Sequence, residues 1–413
     1  MEVDKKSSYV KSGSWLNIFL LYLCGTSAAG AMGMFGPVAV DISQKFTVTT
    51  TEVGSAIGLL FLPMIFLGSP IGSLVDKVGA RTVLRFSVFF VAVASLAIYY
   101  VPTFFGVQAS ILVIGSAIVG IMTSCQATLM SAITGKRQIQ ALSLWSTVSP
   151  VGIALGSFII ASFAGTDNWQ GGFVLHASIV AIAFLSSLIL PKPEITPMPA
   201  PREGDEVVFS SVFRNVNIIR LALALCVGSI IGFGTSMVAP AYMHKMLGIS
   251  LESSTNFVGV ASIGSVVGGL LVGVFLSKGW SSKKTFSLVV ITGLISGAAF
   301  YAPIGIIVIT VIALIFWQAA SGAQIASTFT LLPHTLAHPS QAGRAAGFLS
   351  QIVGVGMTLS APIFFAVLEM NTWYMFVALV SAAWVVAFFI MPIWGSMNKA
   401  KLSANSAKIH SEA

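Results

Sequence analysis

The sequence predicts an all-α membrane protein with twelve transmembrane helices in two pseudo-symmetric six-helix halves. Three observations predict it. Hydrophobic residues make up 56% of the 413-residue chain and charged residues 8%, where an ordinary soluble domain carries about 25% charged residues. Apolar runs of roughly 20 residues, the length that crosses about 30 Å of hydrocarbon, recur along the whole chain. A proline- and charge-rich stretch, PKPEITPMPAPREGDEVV, interrupts the short connections once, near the middle.

The spans follow from those runs in order. The first, Leu16–Val38, begins after a lysine-bearing N-terminal segment, and the second, Val53–Leu74, ends in the charged turn GSLVDKVGARTVL. Thr82–Val101 and Gln108–Ala132 follow that turn, and Lys136 and Arg137 separate them from Ala141–Phe163. Gly172–Leu190 closes the first half. Ile218–Met243, Thr255–Ser277, Thr285–Ala302, Gly305–Leu332, Arg344–Leu368 and Trp373–Trp394 form the second. The ninth and tenth are separated only by Pro303 and its neighbours, so a count of eleven is the alternative reading.

Charge orients the chain. With both termini cytoplasmic, every Lys and Arg falls on the inner side except Lys45 and Lys245, the bias of the positive-inside rule. The net charge of +8 is thereby explained by topology and gives no reason to expect nucleic acid as a partner. No cleavable-signal pattern precedes the first span. The expected location is the plasma membrane, bacterial inner membrane in style, with the bilayer and a small molecule as partners and a monomer as the working unit. Cys24, Cys125 and Cys226 lie inside spans, and no Cys or His spacing resembles a metal site.

Domain organisation follows the linker: residues 1–190 form one half, 191–215 a cytoplasmic linker whose prolines favour extended backbone, 216–395 the other half and 396–413 a cytoplasmic tail. The halves repeat at an offset near 200 residues. GSLVDK at Gly72 aligns with GVFLSK at Gly273, placing Ser277 where Asp76 stands. Gly25, Thr26 and Pro37 match Gly228, Ser229 and Pro240; Ser146, Thr147 and Gly152 match Ser350, Gln351 and Gly356; Gln126 matches Gln324. Internal repeats of this kind place a substrate between the halves near mid-membrane.

Twelve spans, a central linker, a half-chain repeat and the turn after the second span together resemble the major facilitator superfamily. Its signature there, roughly G-x-L-A-D-R/K-x-G-R/K-R/K, is met by Gly72, Leu74, Val75, Asp76, Lys77, Gly79 and Arg81, with Ala80 departing from the basic preference. The resemblance implies a cytoplasmic gate of Gly72, Asp76, Lys77, Gly79 and Arg81 against the start of the eleventh span at Gly343 and Arg344. The plainer reading of that cluster is a topology anchor. Ser146, Ser149, Pro150, Gly152 and Gly156 are similar to a degraded antiporter pattern, and small residues beside a proline equally serve helix packing.

In such a fold the first, fourth, seventh and tenth spans line a central cavity, with the fifth and eleventh beside them. Depth along the helices, at about 1.5 Å per residue, puts Thr26, Ser229, Trp317 and Gln318 near the midplane and Gln126, Thr147, Gln324 and Gln351 in the cytoplasmic half. Amides offer donors and acceptors without fixed charge, and Trp317 offers a stacking surface; the alternative is that these side chains bond neighbouring helices. Every basic residue lies at a loop or span end, which disfavours strongly anionic substrates. A proton carrier is usually a buried acid or His. Asp41 is the coupling candidate, with a plain helix-end charge as its alternative, and His176 is expected at the interface, with a relay role as its alternative.

The expected activity is secondary transport of a small neutral, zwitterionic or weakly amphipathic solute, driven by an ion gradient, protons first, with no cofactor. No nucleotide-binding loop is present, and no nucleophile with a base and orienter assembles on one side of the membrane, so no enzyme is expected. The alternatives are a proton-linked multidrug or metabolite exporter, and a transporter-like receptor or assembly factor that moves nothing.

Overall fold

The computed structural model describes residues 13–132, 135–191, 214–336 and 342–393, and among them every regular element is a helix. α1 (Trp15–Gly30) starts behind Ser14, whose hydroxyl accepts the Asn17 amide. A 3-10 turn and a run of turn residues at 34–38 lead to α2 (Ala39–Phe46), α3 (Thr50–Gly58) and α4 (Leu62–Val78). α5 (Ala80–Tyr100), α6 (Phe104–Ala132), α7 (Gly135–Trp145), α8 (Val148–Ala161) and α9 (Gly171–Ser187) complete the first lobe. The second lobe is α10 (Val216–Leu247), α11 (Leu251–Ser277), α12 (Ser282–Tyr301), α13 (Ile307–Thr335), α14 (Ala342–Glu369) and α15 (Trp373–Ile390).

Among the described residues, ten stretches are helical, long and apolar enough to cross a membrane, and α8 and α9 are apolar but shorter. The ninth and tenth expected spans are separate helices, with Gly305 at φ +72° in the reversal between them. The linker at 192–213 and the tail at 394–413 lie outside the described residues.

Three of the expected spans in the first lobe are broken where the hydropathy pattern is continuous. Each break precedes a proline by four residues: Gly33 before Pro37, Leu59 before Pro63, Ser146 before Pro150. Proline has no N–H to donate to that carbonyl, so the helical ladder stops and restarts. In the second lobe Pro240 and Pro362 sit inside the continuous helices α10 and α14. The two halves therefore repeat in sequence more closely than in backbone.

Helices α1–α9 pack chiefly on one another, as do α10–α15, and the lobes meet mainly where α14 crosses α3 and α4 and where α11 crosses α8. Glycines permit the closest approaches. A Cβ at Gly156 would overlap the Gly30 carbonyl, tying α8 to α1, and one at Gly268 would overlap the Ala319 carbonyl, tying α11 to α13. In the second lobe an aromatic knot holds α10, α12 and α15: Tyr242 donates to the Tyr301 carbonyl at 2.5 Å, and Tyr301 stacks on Phe376 at 4.6 Å.

His176 departs from its expected interfacial place. It is 1% exposed, its Nε2 lies 2.8 Å from the Ser27 carbonyl and its Nδ1 3.1 Å from the Ser95 hydroxyl. A carbonyl only accepts, so Nε2 carries a proton, and Nδ1 pairs with the Ser95 hydroxyl. The ring thus joins α1, α5 and α9 with both nitrogens satisfied.

Candidate functional site: the seam between the lobes

The seam is packed at one end. At the end that carries Asp41, a Cβ at Gly36 would overlap the Met237 carbonyl, and one at Gly58 would lie 2.5 Å from the Thr358 carbonyl. Phe61 and Phe233 meet edge-on across the seam at 5.4 Å, and Phe158 lies against Gly259. Further along the same two helix pairs the packing thins. Gly354 meets Met64 and Ile65, Gln351 Nε2 reaches the Ile65 carbonyl at 3.4 Å, and Gly68, Gly72, Gly273 and Gly347 have nothing within 4 Å of an added Cβ. The α4–α14 pair therefore diverges like a V toward the end where the linker leaves α9 and enters α10.

Helical spacing identifies the faces that line this V. Phe233 touches the other lobe, and Ile230, Cys226 and Leu223 continue its face of α10 at intervals of three and four. On α1 the corresponding stripe is Thr26, Tyr22, Phe19 and Trp15; on α13 it is Gln318, Ile325 and Phe329. Phe19, Leu223, Ile325 and Phe329 are exposed, so the lining is largely apolar with polar groups at intervals.

The expected cavity residues divide into two groups. Thr26, 4% exposed, has no hydrogen-bond partner at Oγ1. Gln126 is exposed on α6. Thr147 stands at the α7–α8 break, where its hydroxyl donates to the Leu144 carbonyl and therefore accepts from Tyr22 at 2.8 Å. Gln318 donates to Ser236 at 3.0 Å, leaving its Oε1 for other use, and Gln351 bridges the lobes as described.

The others are engaged in packing. Gln324 is buried and donates to the Ala224 carbonyl at 2.9 Å, its amide pressed against Gly228. Ser229 bonds its own helix at Leu225. Trp317 is fully buried against Gly297 and meets Trp384 at 6.0 Å, which places its ring among α12 and α15. Gln126 and Gln324, matched in sequence, thus sit in different environments. The cause is visible opposite them: Gly228 faces Gln324, whereas its counterpart Gly25 faces the ring of Trp145.

At the diverging end Gly79, at φ +90°, closes α4, and Lys77 is exposed. Arg81 and Arg85 turn away from α14 and cap the last carbonyls of α9: Arg85 donates to Ser187 at 3.2 Å and Leu188 at 2.6 Å, and Arg81 to Leu188 at 3.5 Å. Cations suit a helix C-terminus. The side chains of Asp76 and Arg344 lie outside the described residues.

At the packed end Asp41 is buried, and Oδ2 accepts the Gly165 amide at 3.0 Å. Burial holds its carboxyl above the ordinary value, while the Gly165 amide and the charge of His244 from the other lobe pull it down. Two contacts there were not foreseen in the sequence. Glu369, ending α14, accepts the Thr51 amide at 2.8 Å and the Thr50 hydroxyl at 3.0 Å. Lys245 donates to the Leu368 carbonyl at 2.9 Å. Among the described residues no group of His, Cys, Asp and Glu could hold a metal.

Two helical lobes joined over one end of a mid-bundle seam define a polytopic membrane protein of the transport class. The chain belongs to the Major Facilitator Superfamily, whose family model matches residues 21–361. No curated protein sequence matches it. Among solved structures it is similar to the nucleoside transporter NupG (TM-score 0.74, 16% identity, covering 92% of this chain and 99% of that one). It is also similar to the D-xylose-proton symporter (0.73, 14%, 93% and 98%). A bacterial homologue of the human lysosomal transporter Spinster, solved inward-facing and unoccupied, gives 0.69 at 15% identity, with 96% and 97% covered. At these identities the likeness concerns the fold.

Proposed function

We propose that the protein is a secondary active transporter with twelve spans and both termini cytoplasmic. It moves a small uncharged, zwitterionic or weakly amphipathic organic solute across the plasma membrane by alternating access. The observation that carries this reading is the V-shaped seam, packed from Gly36 to Ile65 and open from Gly68 to Gly79. With the sequence-based orientation, it is an inward-open state. The substrate class follows from the lining: Tyr22, Gln126, Gln318 and Gln351 offer hydrogen bonds without charge between the apolar side chains of α1, α10 and α13. The substrates named for two of its structural neighbours, a nucleoside and D-xylose, are uncharged polar solutes of the same kind.

The chain works as a monomer without a cofactor, and a proton gradient with Asp41 as carrier is the driving force this reading favours. A specific observation favours a second reading, export of hydrophobic compounds: the exposed stripe of Leu223, Ile325 and Phe329.

The test is thermal stabilisation of the purified protein across neutral, zwitterionic, anionic and hydrophobic-cation solutes, since a ligand of the folded state stabilises it in proportion to ln(1 + [L]/Kd). The expected result is a neutral or zwitterionic solute whose effect is lost in Gln126→Ala and which then moves into proteoliposomes. Hits confined to hydrophobic cations select the exporter. Binding without flux selects the receptor-like alternative.

A further inference from the structure

The seam is held at its packed end mostly by apolar contacts, with Glu369 as a charged exception. Glu369 is the last residue of α14 in the second lobe, and its partners Thr50 and Thr51 are the first residues of α3 in the first lobe. The first amides of a helix have no partner within it, and the helix dipole places partial positive charge there. The α3 terminus already satisfies part of its need internally. Thr49 caps the Glu52 amide at 3.1 Å, and the Glu52 carboxylate returns to the Thr49 amide at 2.7 Å. The Thr51 amide is met by Glu369 of the opposite lobe.

We propose that Glu369 is a positioning residue for alternating access, a charged clasp that holds α3 of one lobe to α14 of the other and must release when that end opens. This rests on the reading of the chain as a transporter. Three features single out Glu369 for this role. It spans lobes that are otherwise far apart in sequence. It engages a terminus, so release leaves the capping box of α3 intact and costs the helix little. Its bonds are charge-assisted but lie at an exposed site, where water screens them and replaces them when they break. Lys245 steadies the same corner from α10 through the Leu368 carbonyl, within the second lobe. Glu369 is therefore anchored on its own side and detachable on the other.

The experiment measures inter-lobe distance by double electron-electron resonance on full-length protein in nanodiscs. Spin labels at Gln44→Cys and Glu252→Cys, both exposed and one in each lobe at the packed end, are placed in a Cys226→Ser background. A second pair at the opposite end reports the reciprocal motion. Glu369→Gln should shift the closed-to-open ratio at the packed end by roughly threefold, the scale of a solvent-exposed charged contact. Glu369→Asp should recover part of it. Glu52→Gln, which removes a charge from the same helix without touching the other lobe, should leave the ratio near wild type.

An unchanged ratio in Glu369→Gln overturns the clasp, as does an equal shift in Glu52→Gln, which would mean that α3 stability alone is being read. The transporter reading fails differently: neither label pair would exchange between two distances in wild type under any solute.

Discussion

Two cysteine environments show how finely residues are sorted in this bundle. Cys24 and Cys125 are buried in the first lobe, directed at the Ala183 and Leu21 carbonyls, whereas Cys226 is half-buried on the lining stripe of α10. Cys226 is accordingly the expected site of labelling by a small maleimide in native protein, and a bound solute should slow that labelling severalfold; mass spectrometry of the labelled chain checks it. Gly36 and Gly72 give the complementary case. Gly36→Val places its side chain on the Met237 carbonyl and should open the packed end, while Gly72→Val meets empty space in this state and should obstruct only closure of the other end. Cysteine accessibility from the two sides of the membrane separates the two outcomes. Gly72 was legible in the sequence as part of the turn after the second span, and Gly36 was not singled out there. Which glycines are filled and which are open was not legible, because that depends on the state of the seam and leaves no mark in composition.

At the scale of elements, the spans were legible and their breaks were not. Hydropathy averages over a window that spans Gly33, Leu59 and Ser146, and a proline four residues later is compatible with both a break and the continuous helices around Pro240 and Pro362. The glutamines fail for a related reason. Their type and depth are equal in the two halves, but the residue opposite decides whether an amide lines a cavity or joins two helices. Gln324→Ala should therefore lower thermal stability, by about 0.5 to 1.5 kcal/mol for the buried hydrogen bond to the Ala224 carbonyl that it removes, and affect all solutes alike. Gln126→Ala, on an exposed face, should leave stability near wild type and weaken solute binding. Calorimetry of both variants with and without ligand distinguishes the roles.

For the whole molecule, the equilibrium between the two open states should depend on pH through Asp41. Burial raises its carboxyl in the packed conformation, and release to water would return it toward the ordinary range. The packed state then binds more protons, so it is favoured as pH falls and loses ground as pH rises through a window above the ordinary carboxylate value. Asp41→Asn should flatten that dependence, measured by the same inter-lobe distances across a pH series; a slope that survives the substitution would remove Asp41 from coupling. The sequence supplied Asp41 as a helix-end acid, but the Gly165 loop and His244 that surround it come from 124 and 203 positions away, beyond any local pattern.

The apolar stripes on α10 and α13 have a thermodynamic consequence as well as a chemical one. Water standing against Leu223, Ile230, Ile325 and Phe329 in the open V is released when a solute covers them and the lobes converge. Removing apolar surface from water gives a negative heat-capacity change, so the enthalpy of solute binding should become more favourable as temperature rises.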